Sequence, residues 1–538
     1  MASLGRASAI IAAGTLASRA TGLIRNIVLA TALGTVGSAA ADAFGIAVQL
    51  PNSIYDLIAS GLLAGVIVPQ IVKAVREHSD RGSAFVSKLL TLGVVVLAGV
   101  LVLALIGAPL LVQIYGSRLP GETQALALSF AYWVLPQLFF FGLYALLGEI
   151  LNARKVYGPY SWSPIINNIV SIAGLGSFVW LFGLHRDAIG WTPQMISYVG
   201  GTALLGVTLQ TVALLFFWRR ADLVIRPDFQ WRGIGLRHIA RLAGWTFLMV
   251  AVGQIAGLIQ MTNVSAASGK AASVSTLQTA WAIFILPYSV IVMSIGTPFY
   301  TRMAEYATAG DLGAVKKSLG SQTRLISVLM VGALAAIVAA IIPISRVFTD
   351  DASDAVSFAL VLGAYLLALI PLSLQFGIQR TFYAFHDTRT PFFFTLVQAV
   401  IVVTTTLIAV QLLDNGALPL TLLAFAIALG QSLANFVQLG FAGTALRRKL
   451  GPLDLGGPLR SLVLFLAVGA VSAAIGWGVF LLLGGVSGWA ASEKWTGIVA
   501  AGVIGIVTLG VYGLAMLVLR VPEAHTALRM LRRILPGR

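Results

Sequence analysis

Residues 7–34 read ASAIIAAGTLASRATGLIRNIVLATALG, a hydrophobic run long enough to span a bilayer that nevertheless carries Arg19 and Arg25. Placed at the 100° per residue of an α-helix, Ser8, Thr15, Ser18, Arg19, Gly22, Arg25 and Asn26 fall within an arc of roughly 120°. The opposite face is Leu16, Ala17, Ala20, Leu23, Ile24, Ile27 and Val28. One face therefore suits lipid or packing, and the other suits a water-filled cavity inside a bundle. A charge at mid-bilayer costs at least about 2.5–3.5 kcal/mol, so such residues face the protein interior and have a partner or a function. The arginines also rule out a signal peptide, whose apolar core would be uninterrupted.

The next span supplies two acids, Asp42 near its start and Asp56 about four turns on. Running back against the first helix, it sets Asp56 near the depth of Arg19 and Asp42 outward of Arg25. Two readings follow: structural ion pairs between the helices, or a cationic site for an anionic substrate that is partly neutralised until the substrate arrives. Two arginines with serine and glycine on the same face leave both charge and room, which favours the second.

The rest of the chain agrees with a membrane setting. Of its 538 residues, 58% are hydrophobic and only 10% charged, where a soluble globular chain carries about 25% charged. There is no cysteine, and His78, His185, His238, His386 and His525 are scattered, so neither metal nor cofactor chemistry is expected. No Walker loop and no catalytic acid pair occurs, so no enzyme is expected. Hydrophobic windows mark about fourteen spans, and 28 of the 35 lysines and arginines fall in alternate loops. The positive-inside rule then places both termini in the cytoplasm. The net charge of +16 reads as topology and attraction to anionic lipid, not as a nucleic-acid surface.

An internal duplication organises these spans. Leu50-Pro51 in the second span recurs as Leu286-Pro287 in the eighth, 236 residues on. Pro136, Gly142 and Asn152-Ala153-Arg154 recur as Pro371, Gly377 and Asp387-Thr388-Arg389 at 235, with Pro159 and Pro391 at 232. Six spans per copy is an even number, so the copies are parallel, as in transporters whose two lobes rock around a central site. The expected fold is an all-α polytopic membrane protein: two six-helix lobes, 1–218 and 242–450, joined by a basic linker, 219–241. The region 451–538 adds spans thirteen and fourteen and a basic tail. Asn167 and Asn168 read as interhelical hydrogen bonds.

Ser18-Arg19 with Gly22 and Arg25, then Ala41-Asp42-Ala43-Phe44, Leu50-Pro51-Asn52 and Val68-Pro69, resemble the first two helices of the MurJ (MviN) lipid II flippases of the multidrug/oligosaccharidyl-lipid/polysaccharide (MOP) exporter superfamily. Ile150-Leu151-Asn152 and Phe382-Tyr383-Ala384 with Asp387, Thr390 and Pro391 resemble that family's fourth and tenth helices. The resemblance implies a protein of the bacterial inner membrane that moves lipid II, an undecaprenyl-pyrophosphate-linked disaccharide peptide, to the outer leaflet for cell-wall synthesis. It carries the family's functional arginines to Arg19 and Arg25, and its acid to Asp42. With Ser18, Asn52 and Asp56 these form the candidate binding set. The chain departs from many members in having Tyr55-Asp56 where they carry a basic pair, and Ala282 where they carry an eighth-helix arginine. The alternatives are a flippase for another polyprenyl-pyrophosphate-linked saccharide and a non-transporting scaffold for cell-wall or division proteins.

Overall fold

The computed structural model describes residues 2–62, 80, 82–218, 225–230, 236–453 and 456–525. Among these residues the regular structure is helical, and no strand forms. The basic tail with Arg529, Arg532 and Arg533, the Val68-Pro69 end of the second span and linker residues 219–224 and 231–235 lie outside them, while linker residues 236–241 form the start of the next long helix.

Helix α1 (Ala2–Leu33) ends at Gly34, whose φ is +88°. A Cβ there would lie 2.6 Å from the Arg186 Nη1 and 2.9 Å from the Ser38 Cβ, so both the backbone conformation and the space require glycine. Ser38 then caps α2 (Ala39–Leu62), accepting from the Ala41 N–H at 3.2 Å and donating to the Arg186 carbonyl at 3.0 Å. The third span is α3 (Ser83–Ile106) with the short α4 (Ala108–Tyr115), and the fourth is α5 (Gly121–Val134) with α6 (Gln137–Ala153). The fifth is α7 (Gly158–Trp162) with α8 (Pro164–Phe182), followed by α9 (Pro193–Leu215) and α10 (Leu236–Val264).

The eighth span is α11 (Val274–Pro287), a π-helical turn at Tyr288–Val292, and α12 (Met293–Thr308). The ninth is α13 (Leu312–Ala339), after which the short α14 (Ile341–Phe348) leads into the tenth, α15 (Ala352–Leu366) with α16 (Leu369–Ala384). Helices α17 (Arg389–Asp414), α18 (Leu423–Leu450), α19 (Gly456–Leu482), α20 (Trp489–Ser492) and α21 (Lys494–Val518) complete the chain. Twelve stretches, from Ser83–Ile106 to Lys494–Val518, are long and apolar enough to cross a membrane among the described residues. Helices α1 and α2, which carry the candidate site, are not among the twelve.

Packing divides the chain into two units, Met1–Gly269 and Lys270–Arg538. In the first, α1 packs on α8, α8 on α9, and α2 on α5 and α10. The seventh helix, α10, is anchored there by Gln254 Nε2 donating to Asp56 Oδ2 at 3.0 Å and by Thr262 Oγ1 donating to the Ile114 carbonyl at 2.9 Å. The linker residues 225–230 lie along α3, where the Arg226 and Asp228 amides donate to Ser87 and Thr91 hydroxyls at 3.2 and 3.0 Å. In the second unit α13 packs on α16, α19 and α21, and α17 packs on α18.

The repeat is present in the backbone, but in a different register from the proline match. The fourth span breaks at Leu135–Pro136 and the tenth at Leu367–Ala368, 232 residues apart. Both spans then close in the same way. The amides of Val156 and Asp387 reach back to the Leu151 and Phe382 carbonyls at 2.8 and 3.0 Å, across Lys155 and His386 at φ +63° and +56°. Those pairs are 231 apart, so Val156, not Asn152, is the counterpart of Asp387. The triplets Asn152-Ala153-Arg154 and Asp387-Thr388-Arg389 therefore are not equivalent: Arg154 caps a helix end, whereas Arg389 opens the next helix. Proline misleads here because a helix tolerates it anywhere in its first turn, and Pro136 and Pro371 sit at different points of that turn.

Candidate functional site

Helix α1 is held by α7 and α8. Asn168 Nδ2 donates to the Ser18 carbonyl at 3.1 Å and to Thr21 Oγ1 at 2.9 Å, while Trp162 Nε1 donates to the Ile10 carbonyl at 3.1 Å. Gly22 leaves room for this approach, since a Cβ there would lie 3.6 Å from Asn168 Nδ2. The expected interhelical role of Asn168 is thus present, and Ser18 takes part through its carbonyl.

Two turns further along α1, half-buried Arg25 enters a cavity of about 330 Å³ inside the first unit. Helix α2 contributes Phe44, Val48 and Asn52 to its wall; Gln137, Asn167, Ser171 and Thr202 add carboxamides and hydroxyls from α6, α8 and α9. Asn52 sits beside Pro51 and folds its Nδ2 onto the Val48 carbonyl at 3.0 Å, and Ser171 Oγ donates to Asn167 Oδ1 at 3.4 Å. Arg25 Nη2 donates to the adjacent Asn26 Oδ1 at 3.4 Å, a long bond that leaves most of its guanidinium donors for a ligand. No carboxylate lines this cavity among the described residues. One cation among neutral donors and acceptors favours an anionic, hydrogen-bonding ligand and disfavours a cation.

The other candidates stand apart from this cavity. Arg19 is exposed and has no ion-pair partner among the described residues. The expected Arg19–Asp56 pair does not form, because Asp56 accepts from Gln254 of α10 instead. Asp42 is fully buried in the first turn of α2, where the helix dipole favours a carboxylate. Sequence reasoning missed Gln137, Ser171 and Thr202 and assigned Asn167 only to packing. A usable signal existed: Asn167, Ser171 and Leu175 repeat every four residues along one stripe of an apolar span, and all three line the cavity.

In the second unit the notable cation is Arg380, whose guanidinium lies 5.0 Å from the Phe376 ring and 5.4 Å from that of Tyr300. Asp387 closes the loop after α16. It accepts from the Thr390 amide at 3.0 Å and hydroxyl at 2.9 Å and from Lys449 Nζ at 2.8 Å. Partial burial alone would raise its carboxyl, but Lys449 and the Thr390 donors outweigh that and hold it below the usual carboxylate range. No group of three or more metal-binding side chains occurs among the described residues.

The model of the lipid II flippase MurJ family matches residues 29–511, which takes in every lining residue of the cavity except Arg25 and leaves out most of α1, with Ser18, Arg19 and Arg25, and the end of α21. The chain belongs to the MurJ lipid II flippase family. A Burkholderia cenocepacia protein named lipid II flippase MurJ is 25% identical over 518 residues, covering 92% of each chain. A probable lipid II flippase MurJ of Rickettsia prowazekii is 26% identical over 450 residues, covering 81% of this chain and 82% of its own. Among solved structures, a lipid II flippase MurJ in an inward closed conformation aligns with a TM-score of 0.72 at 19% identity, covering 95% of this chain and 98% of that one. An inward-facing multidrug resistance MATE transporter of the MOP superfamily aligns at 0.58 and 14% identity, covering 84% and 96%. Family membership makes this a multi-pass membrane transporter with the MurJ/MATE fold.

Proposed function

We propose that this chain moves lipid II from the inner to the outer leaflet of the bacterial cytoplasmic membrane by alternating access. Its two duplicated lobes, 1–218 and 242–450, rock against each other, and both termini lie in the cytoplasm beneath fourteen spans. The pyrophosphate is held by Arg25 and Arg19, with Asn52 and Ser18 completing the polar face. Asp56 belongs to the same binding set, Asp42 biases the closed and open states, and the polyprenyl tail stays in lipid. The observation that carries this reading is Arg25 entering a carboxylate-free polar cavity in a chain of the flippase family. A guanidinium offers a planar fork of donors that a pyrophosphate accepts in several places at once.

The test is leaflet accessibility of lipid II in cells depleted of their own flippase. Wild type restores outward translocation, and Arg19→Ala and Arg25→Ala lose it. Full restoration by both variants would overturn the site, and no restoration by well-expressed wild type would overturn the substrate. Export of another polyprenyl-pyrophosphate-linked saccharide is the second reading. It is favoured by Ala282, which leaves the eighth span without the arginine of many family members.

A further inference from the structure

The second unit holds a larger cavity, about 780 Å³, far along the chain from the arginines of α1. It lies between α13, α16, α18 and α19 and draws no residue from α21. Its rim carries Lys316, Lys317, Arg324 and Arg447, and no acidic side chain lines it among the described residues. The four cations gather where α13 begins and α18 ends, the side that the alternation of basic loops assigns to the cytoplasm. Two of them are already engaged: Lys316 Nζ donates to the Pro452 carbonyl at 3.0 Å, and Arg324 Nε lies 2.9 Å from Glu523 Oε1. Lys317 and Arg447 are exposed and have no ion-pair partner among the described residues.

Beyond the rim the lining turns apolar. From Arg447 to Leu439, α18 runs about 12 Å at 1.5 Å per residue, most of the depth of one leaflet. Gly440 and Gly443 open that wall, and a Cβ built on either meets nothing within 4 Å. A cationic mouth over a smooth apolar channel is complementary to a phosphate head group followed by an acyl chain, and basic pockets at the cytoplasmic ends of membrane helices recognise such head groups.

We propose that this groove is a binding site for an anionic glycerophospholipid of the cytoplasmic leaflet, with Lys317 and Arg447 on the phosphate and the chain along Gly440 and Gly443. This site is separate from the Arg25 cavity and does not depend on the substrate assigned there.

The experiment is native mass spectrometry of the purified full chain with added phosphatidylglycerol or phosphatidylcholine. Wild type binds phosphatidylglycerol in preference. Lys317→Gln and Arg447→Gln each weaken that binding by about fivefold, the effect of one basic residue near a lipid surface. Lys317→Arg with Arg447→Lys retains it. Gly443→Leu, which fills the channel and changes no charge, lowers binding of phosphatidylglycerol as well. Binding in wild type falls as salt is raised, a readout that needs no variant. Equal binding of the two lipids by wild type, unchanged binding in both glutamine variants, or displacement of phosphatidylglycerol by a lower concentration of undecaprenyl phosphate would overturn the proposal.

Discussion

Arg346 is a buried cation, 7% exposed, in the last turn of α14, and it donates to three carbonyls that belong to loop ends. Nε reaches the Ala491 carbonyl at 3.0 Å, Nη2 the Ser492 carbonyl at 2.8 Å and Nη1 the Thr349 carbonyl at 2.7 Å. These bonds tie α20, and through it the last span, to the turn before α15. Close packing backs them, since a Cβ on Gly497 of α21 would lie 2.9 Å from the Pro343 carbonyl. Arg346→Met keeps an unbranched apolar stem in place of the arginine's and removes all three donors. Hydrogen bonds to a charged donor contribute about 1.5–3 kcal/mol each, but the three carbonyls sit at loop ends that water reaches once the guanidinium is gone. The expected loss is therefore about 3–5 kcal/mol, less than the sum of three such bonds, because no unpaired charge is left behind when the guanidinium goes. For a unit of this size that corresponds to a fall in Tm on the order of 10 °C. Arg346→Lys recovers only part of the loss, because one ammonium cannot match a planar fork aimed at three acceptors. Thermal unfolding of the detergent-purified chain is the measurement. A fall of less than about 2 °C for Arg346→Met, or full recovery by lysine, would refute the reasoning.

Other outcomes follow from the same geometry. Asp387 is held below the ordinary carboxylate range, so its contribution to stability is complete above that range and is lost as pH falls through the lowered value. Acid unfolding of Asp387→Asn should accordingly begin from a less stable protein at neutral pH and show a shallower decline below about pH 4. Asp351 caps α15 by accepting from the Asp354 amide at 2.8 Å, so Asp351→Ala should cost about 1 kcal/mol in thermal unfolding. Because the natural sequence has no cysteine, Asp56→Cys with Gln254→Cys gives a clean cross-linking test of the α2–α10 contact. A product bridged by a short bifunctional thiol reagent is expected, since a Gln–Asp side-chain contact sets the backbones further apart than a disulfide spans, and its absence would place the two helices apart. Arg25→Lys keeps the charge and loses the fork; translocation of lipid II should fall about tenfold or more, and unchanged transport would show that charge alone suffices.

How much of this was legible differs from residue to residue. The arginines of the first span stood out because a charge in a hydrophobic run is costly enough to call for an explanation; Arg25 lines a cavity, whereas Arg19 is exposed. The breaks in the fourth and tenth spans were visible through their prolines, but their register was not. Proline marks the first turn of a helix without fixing its place there, whereas the left-handed turns that set the register fall at Lys155 and His386, not at the glycine that usually marks such a turn.

By itself the sequence determined that this is a helical, duplicated, multi-pass membrane protein, because hydrophobic period, span length and charge alternation are local quantities that bilayer thickness and insertion energetics enforce along the chain. Which side chains meet was decided only by the tertiary structure. Asp56 faces Gln254 rather than Arg19, and Asn167 faces the cavity while its neighbour Asn168 faces α1. The partner of a polar group in an apolar bundle depends on how two helices rotate against each other. A step of one residue turns a side chain through about 100°, and packing of the whole unit, not the identity of the residue, selects that rotation.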